Sequence, residues 1–222
     1  MRTQILLKRA YHDTVTIPLL FLIGAGLTHQ PSRAAVPPMK FDPSDSHEFQ
    51  QEAANTDPNN LKIKALSGYI KERFKISEHK AATIVSEAFR HGLQQGLQPE
   101  LILAVIAVES RFKEKAVSPA GARGLMQVLA RAHPKKVKNL GGLPALYDPR
   151  KNIKLGTHIL AQYKDVSNGN IRRTLLRYNG SLGKSKSRYP DKVMRVYKQM
   201  KSTARLTEQL QLAQANRTTL QQ

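Results

Sequence analysis

The sequence predicts a mostly α-helical protein with a single globular domain, and three observations support this prediction. Between about Leu61 and Met200, apolar residues recur at helical spacing, whereas the alternation typical of strands is weak. Hydrophobic residues make up 40% of the 222 residues and charged residues 23%, which is a globular balance. The length fits one domain with appendages, and the chain has no internal repeats.

The first half of the domain contains three predicted helices. An apolar stripe runs from Leu61 to Phe74, and Ser77 is placed to cap a second helix. Pro99 suits the first turn of a third helix. That helix is apolar on every side up to Val108, which predicts a buried central position.

The second half is predicted to begin with a loop and a short helix within residues 118–127. A longer helix then starts at Asp148-Pro149, with the aspartate as its cap. A short helix leads to Tyr178, and an amphipathic helix carries Tyr189 to Met200.

Both ends of the chain are predicted to lie outside the domain. Residues 1–34 combine a positive head, a short apolar body and a small-residue cleavage site, which predicts a secretory signal peptide; an uncleaved anchor or a buried helix is the alternative. Residues 35–60 are polar with four prolines and predict a flexible linker. Residues 201–222 are polar and Gln-rich, which predicts a frayed helix or a disordered tail.

Charge narrows the classes of partner. The chain has 36 Lys and Arg against 16 Asp and Glu, so it will adhere to polyanions. The basic residues are spread along most of the chain, which favours a cationic surface suited to anionic surroundings over a nucleic-acid interface. We therefore expect no nucleic-acid partner. No apolar run reaches the length of a membrane-spanning helix, so we expect no integral membrane span in the mature chain.

Glu109 is the candidate catalytic residue. Its neighbours three, four and seven positions earlier, Ile106, Val105 and Ile102, are apolar, so a carboxylate ends an apolar stripe. Burial and the negative end of a helix both raise a carboxyl pKa, and a general acid needs a raised pKa. The alternative is that Glu109 leaves the core and pairs with nearby basic residues, as helix-end carboxylates often do.

The surrounding segments offer groups that suit a neutral, hydroxyl-rich ligand. Ser110 follows Glu109 directly, and Met126 and Gln127 lie one short loop further on. Tyr178-Asn179 adds a phenol and a second amide. Hydroxyls, amides and a phenol around one buried acid indicate a sugar site, although Met126 and Tyr178 could instead be packing residues.

Three segments together resemble the soluble lytic transglycosylases, whose catalytic domain is similar to goose-type lysozyme. The segments are Ala107-Val108-Glu109-Ser110, then Ser118-x-x-Gly121-Ala122-x-Gly124-Leu125-Met126-Gln127, then Tyr178-Asn179. Their order and spacing match the three motifs of that family over about residues 98–200. One departure is Arg177, since the family usually has a small residue before Tyr-Asn.

The resemblance implies a lysozyme-like fold for residues 61–200 and cleavage of the β-1,4 bond between N-acetylmuramic acid and N-acetylglucosamine in peptidoglycan. Glu109 would be the single acid/base and Ser110 would orient it or the substrate. Met126, Gln127, Tyr178 and Asn179 would line the sugar cleft. The implied setting is the periplasm, with peptidoglycan glycan strands as the partner and secretion or conjugation machinery as a candidate further partner.

The remaining acids of the domain favour a mechanism with one carboxylate. After Ser110 and before Met200 these are Glu114, Asp148, Asp165 and Asp191, and none has apolar surroundings like those of Glu109. Ordinary glycosidases use two carboxylates. A lysozyme-type muramidase of the same fold and a non-catalytic glycan-binding module remain alternatives.

No cofactor is expected, and no metal. The sequence has no cysteine, which excludes disulfides and cysteine-ligated metals. Glu87 and His91 are four residues apart, but with no third ligand nearby we interpret them as a surface pair.

Overall fold

The computed structural model describes residues 58–184 and 186–219. The predicted signal peptide of residues 1–34 and residues 35–57 of the predicted linker lie outside the described residues. The described part is mostly helical, which confirms the predicted fold class. Its first helix begins at Pro58, three residues before the predicted start of the domain.

Three helices form the first half, as predicted. They are α1 (Pro58–Phe74), α2 (Glu78–Gln94) and α3 (Pro99–Glu109). The Ser77 hydroxyl accepts a hydrogen bond from the Lys80 amide and caps α2. Every residue of α3 from Pro99 to Ala107 is buried, which confirms the central position that its apolar sequence predicts.

The expected short helix within residues 118–127 is wrong. The chain instead forms two short antiparallel strands, β1 (Ala122–Arg123) and β2 (Val128–Leu129). Gly121 and Gly124 have φ angles of +82° and +77°, and Gln127 has a φ of +48°. A right-handed helix cannot pass through three such residues, so the segment folds as a sequence of tight turns.

The second half contains four further helices. They are α4 (Pro134–Leu140), α5 (Pro149–Val166), α6 (Ile171–Tyr178) and α7 (Tyr189–Thr219), with 3₁₀ turns at Ala130–Ala132 and Leu143–Tyr147. Asp148 caps α5 as predicted, because its Oδ1 accepts a hydrogen bond from the Lys151 amide at 2.9 Å. The helix α4 and both 3₁₀ turns were not predicted. The helix α7 continues through most of the segment predicted to be a tail.

Two hydrophobic clusters hold the domain together. The larger one surrounds α3, which packs mainly against α7 and α2, and the smaller one joins β2, α4 and α5. Tyr178 packs against both clusters. The end of α6 therefore lies where the two clusters meet, and this junction positions the candidate site.

No helix in the described ranges combines the length and hydropathy needed to cross a bilayer.

Candidate active site

Glu109 is the last residue of α3, and its side chain is half-buried. The Tyr189 hydroxyl, at the start of α7, donates a hydrogen bond to Glu109 Oε1 at 2.6 Å. Burial raises the pKa of the Glu109 carboxyl, and the Tyr189 hydrogen bond opposes this by favouring the charged form. No ion pair in the described residues includes Glu109, so the alternative in which it pairs with nearby basic residues is wrong.

The backbone turns sharply directly after the acid. Arg111 and Phe112 have φ angles of +52° and +63°, a left-handed conformation that residues with a Cβ seldom adopt. The Phe112 side chain is 2% exposed, and its ring centroid lies 4.5 Å from that of Phe74. Packing of this ring therefore holds the unfavourable turn that ends α3.

Asn152 on α5 anchors the loop between the two strands. It has no exposed surface, and its Oδ1 accepts a hydrogen bond from the Met126 amide at 2.8 Å. Its Nδ2 donates to the carbonyls of Arg123 at 3.0 Å and Leu146 at 2.8 Å. Gly124 passes so close that a Cβ there would lie 2.1 Å from the Leu146 carbonyl oxygen. The loop thus depends on one buried amide and on a glycine.

Tyr178 connects this loop to α6. Its hydroxyl donates a hydrogen bond to the Met126 carbonyl at 2.8 Å. Burial raises the pKa of the Tyr178 phenol well above its usual range, and the charge of Glu109 raises it further. The second effect requires the carboxyl and the phenol to lie near each other. The structure therefore brings Glu109, Tyr178 and the Met126 backbone together, and the roles predicted for them stay predictions.

The other predicted site residues occupy different positions around this centre. The Ser110 hydroxyl is buried and donates to the Ile106 carbonyl at 3.1 Å. The Met126 side chain has no exposed surface. Gln127 Nε2 donates to the carbonyls of Ala116 and Gly124, at 3.1 and 3.0 Å, while Asn179 is exposed at the end of α6. Their predicted contacts with a ligand stay predictions.

Sequence reasoning missed Tyr189. It was interpreted only as an inward-facing residue of the last helix, yet it contacts the acid directly. Burial and the neighbouring carboxyl both strongly raise the pKa of its phenol, so this hydroxyl keeps its proton and remains a donor. Its only sequence signal was a tyrosine at the first turn of a helix, which does not reveal a partner 80 residues earlier.

The other acids after Ser110 have different surroundings from Glu109. Glu114 forms an ion pair with Lys80 at 3.0 Å, and Asp191 forms one with Arg172 at 2.6 Å. Asp148 is used as the α5 cap, and Asp165 is exposed. Glu109 differs from these four acids, because it forms no ion pair with the described residues, caps no helix, and has a pKa raised by burial.

Glu87 and His91 are not a surface pair. The two side chains are buried, and His91 Nε2 lies 3.2 Å from Glu87 Oε2. Arg90 and Arg150 also contact the Glu87 carboxylate. Sequence spacing could not show that α5 covers this face of α2. Among the described residues, no three His, Asp or Glu side chains are grouped to bind a metal, and the expectation that no cofactor is needed stays a prediction.

A family comparison decides the assignment of this chain. Residues 87–198 match the model of the transglycosylase SLT domain, and this range covers half of the chain. The chain belongs to the transglycosylase SLT domain family. This membership confirms the resemblance seen in the sequence, and the matched range includes Glu109, the loop around Met126, Tyr178 and Tyr189.

Named relatives of this SLT-domain protein are similar over the same region. Membrane-bound lytic murein transglycosylase C from Klebsiella pneumoniae (strain 342) is 38% identical over 118 aligned positions, covering 47% of this chain and 32% of the relative. The protein of the same name from Photorhabdus laumondii is 34% identical, with the same coverage of both chains. The chain thus spans about a third of the length of these relatives.

A solved structure is also similar to the SLT-domain protein. It is an inactive mutant of the lytic transglycosylase Slt from Pseudomonas aeruginosa, with 21% sequence identity and a TM-score of 0.45. The similarity covers 76% of this chain and 33% of the other. The family assignment rests on the sequence match over residues 87–198.

Proposed function

We propose that this protein is a peptidoglycan lytic transglycosylase that cleaves the β-1,4 bond between N-acetylmuramic acid and N-acetylglucosamine. The observation that carries the proposal is Glu109, a half-buried carboxyl whose pKa is raised by burial, within a matched SLT domain. A raised pKa keeps a fraction of the carboxyl protonated near neutral pH, as a general acid requires. The names of the relatives, lytic murein transglycosylases, also support it.

In the proposed reaction Glu109 serves as acid and then as base. It first gives its proton to the glycosidic oxygen as the bond from that oxygen to C1 of muramic acid breaks. The substrate's own acetamido carbonyl stabilises C1, so no second carboxylate is needed. Glu109 then takes the proton from the 6-hydroxyl of the same sugar as that oxygen bonds to C1. The product has a 1,6-anhydro end, and no water is consumed.

The surrounding residues position this chemistry. Tyr189 fixes one carboxyl oxygen of Glu109, which leaves Oε2 to face the leaving oxygen. Tyr178 orients the Met126 backbone beside the acid. Ser110, Gln127 and Asn179 are proposed to hold the substrate or the acid. Met126 is proposed to contribute to the cleft mainly through its backbone, because its side chain is fully buried.

The product of wall digestion tests this proposal. We expect mass spectrometry of fragments released from purified peptidoglycan sacculi to show 1,6-anhydromuramic acid ends. The expected result follows from an internal hydroxyl, rather than water, attacking C1. Fragments with reducing ends alone would establish the muramidase alternative, in which water is the nucleophile. Binding without any release of fragments would establish the glycan-binding alternative.

Replacing the Tyr189 hydroxyl should change the pH dependence of the reaction. In Tyr189→Phe the Glu109 carboxylate loses the hydrogen bond that favours its charged form, so its pKa rises. Because the first step needs protonated Glu109, the alkaline limb of the pH profile of kcat/KM should move to higher pH. Tyr197→Phe, a tyrosine further along α7, is the control. An unshifted alkaline limb in Tyr189→Phe would contradict the role assigned to this hydrogen bond.

Location and partners also belong to this proposal. We propose that the protein is exported and acts in the periplasm, on peptidoglycan glycan strands. The predicted signal peptide and the cationic composition support this setting. The matched relatives are named membrane-bound. Secretion or conjugation machinery remains a proposed further partner.

A further inference from the structure

The part of the domain that follows the candidate acid has a strong imbalance of charge. Residues 115–147 contain six Lys and Arg and no Asp or Glu. Arg131, Lys135 and Lys138 are exposed, and none of them forms an ion pair with the described residues. Cations placed together without counter-charges repel one another, so such a group is suited to an external anion.

These three residues form one surface, here called the α4 basic surface. Lys135 and Lys138 are three residues apart on α4 and are therefore neighbours on one side of that helix. Arg131 lies in the 3₁₀ turn that leads into it. His133 lies between them in sequence, and its pKa is lowered first by burial and then by the charge of Lys136.

A row of aromatic rings connects the α4 basic surface to the candidate acid. The His133 ring lies 6.4 Å from that of Tyr163, and the Tyr163 ring lies 6.5 Å from that of Tyr178, centroid to centroid. His133 and Tyr163 are half-buried, and the Tyr178 hydroxyl lies inside the protein on the Met126 carbonyl. Tyr178 in turn is close enough to Glu109 for that charge to raise its pKa.

We propose that the α4 basic surface binds carboxylates of the stem peptides carried by the peptidoglycan strand whose sugars occupy the site at Glu109. The inference rests on the proposed function, because that function supplies the strand. A polymer held at Glu109 and extended along the Tyr178–Tyr163–His133 row brings its side groups to Arg131, Lys135 and Lys138. Stem peptides carry free carboxylates, whereas the sugars beside them are largely neutral.

The test separates binding from cleavage. Binding is measured by sedimentation with purified sacculi in a Glu109→Gln background, which cannot consume its ligand. Into this background we introduce Arg131→Gln, Lys135→Gln and Lys138→Gln together. The matched control removes three other exposed cations, by Lys64→Gln, Arg205→Gln and Arg217→Gln. Arg205 lies sixteen residues along α7 from Tyr189, or about 24 Å.

We expect the α4 triple variant to bind sacculi about tenfold more weakly, as three solvent-exposed charge contacts allow. The control should bind within about twofold of the parent, and the difference should shrink in high salt because screening weakens exposed pairs. On sacculi whose peptide carboxylates have been converted to neutral amides by carbodiimide coupling to methylamine, the α4 triple variant and the parent should bind equally. Melting temperatures of all variants verify that each is folded.

Three outcomes would overturn the inference. They are an equal loss of binding in the control variant, an equal loss in the α4 triple variant on sacculi whose carboxylates are blocked, and a loss in the α4 triple variant that appears only with anionic lipid vesicles. Failure of the proposed function would appear separately, as wild-type protein that releases no anhydro fragments. The binding measurements in the Glu109→Gln background do not depend on that result.

Discussion

The variant Glu109→Gln should lose at least 10²–10⁴-fold of the wall-cleaving activity, roughly the contribution of one positioned acid/base. The amide has nearly the same shape as the carboxyl and still accepts the hydrogen bond of Tyr189, but it cannot give up or take the proton. The loss should appear in kcat, since the residues proposed to hold the sugar are unchanged. The measurement is the rate of anhydro-fragment release from sacculi.

The same variant also reports on the burial of Glu109. Burial raises the native pKa of this carboxyl above its unfolded value, so the native state binds the extra proton over the range between the two values. The wild-type protein should therefore lose stability relative to Glu109→Gln as the pH rises through that range. Below the pKa of Glu109 in the unfolded state, the free energies of unfolding of the two proteins should differ least. Thermal unfolding at a series of pH values measures the difference.

The control for this pair of measurements is Glu114→Gln, which changes a nearby acid that forms an ion pair with Lys80. It should retain most of the activity. If Glu109→Gln kept wild-type cleavage, the catalytic assignment would fail. If the stability of Glu109→Gln changed with pH in the same way as that of wild type, burial of Glu109 would not be the cause of its raised pKa.

The variant Asn152→Ala should unfold far more easily than wild type. It removes three hydrogen bonds inside the protein and leaves the Met126 amide and the Arg123 and Leu146 carbonyls without that partner. A buried polar group left unsatisfied costs about 1–3 kcal/mol. We expect the free energy of unfolding to fall by about 3–6 kcal/mol, and Tm by about 6–24 °C at about 2–4 °C per kcal/mol.

Activity should fall with it, because Asn152 holds the loop whose Met126 carbonyl accepts the Tyr178 hydroxyl. Asn139→Ala, an exposed asparagine on α4, is the matched control and should change Tm by at most about 2 °C. A Tm for Asn152→Ala within that same margin would show that water or a loop rearrangement replaces the lost hydrogen bonds.

Local sequence signals were sufficient to predict most of the helices. The Ser77 and Asp148 caps, the prolines at the starts of α3 and α5, and the unbroken apolar run of α3 each depend on a few adjacent residues. The helix predicted within residues 118–127 was wrong because local signals do not determine this segment. Its composition suits a helix, but left-handed conformations at Gly121, Gly124 and Gln127 redirect the chain, and they depend on the buried contacts of Asn152.

Parts of the site could be predicted because the acid interrupts an apolar pattern. Glu109 was identifiable from Ile106, Val105 and Ile102, whose burial follows from α3 being central. The hydrogen bond from Tyr189 and the covering of Glu87 by α5 depend on which helices meet in space. A linear sequence does not carry that information without the packing of the whole domain.

The sharp corner at Arg111 and Phe112 fixes where α3 ends. Two consecutive left-handed residues with a Cβ cost about 1–2 kcal/mol each, so the chain adopts them only while the Phe112 ring stays packed on Phe74. Because α3 can neither gain a turn nor unwind past this corner, Glu109 keeps its position along the helix axis relative to Tyr189. The position of the Glu109 carboxyl is therefore set by the packing of one phenylalanine ring three residues later.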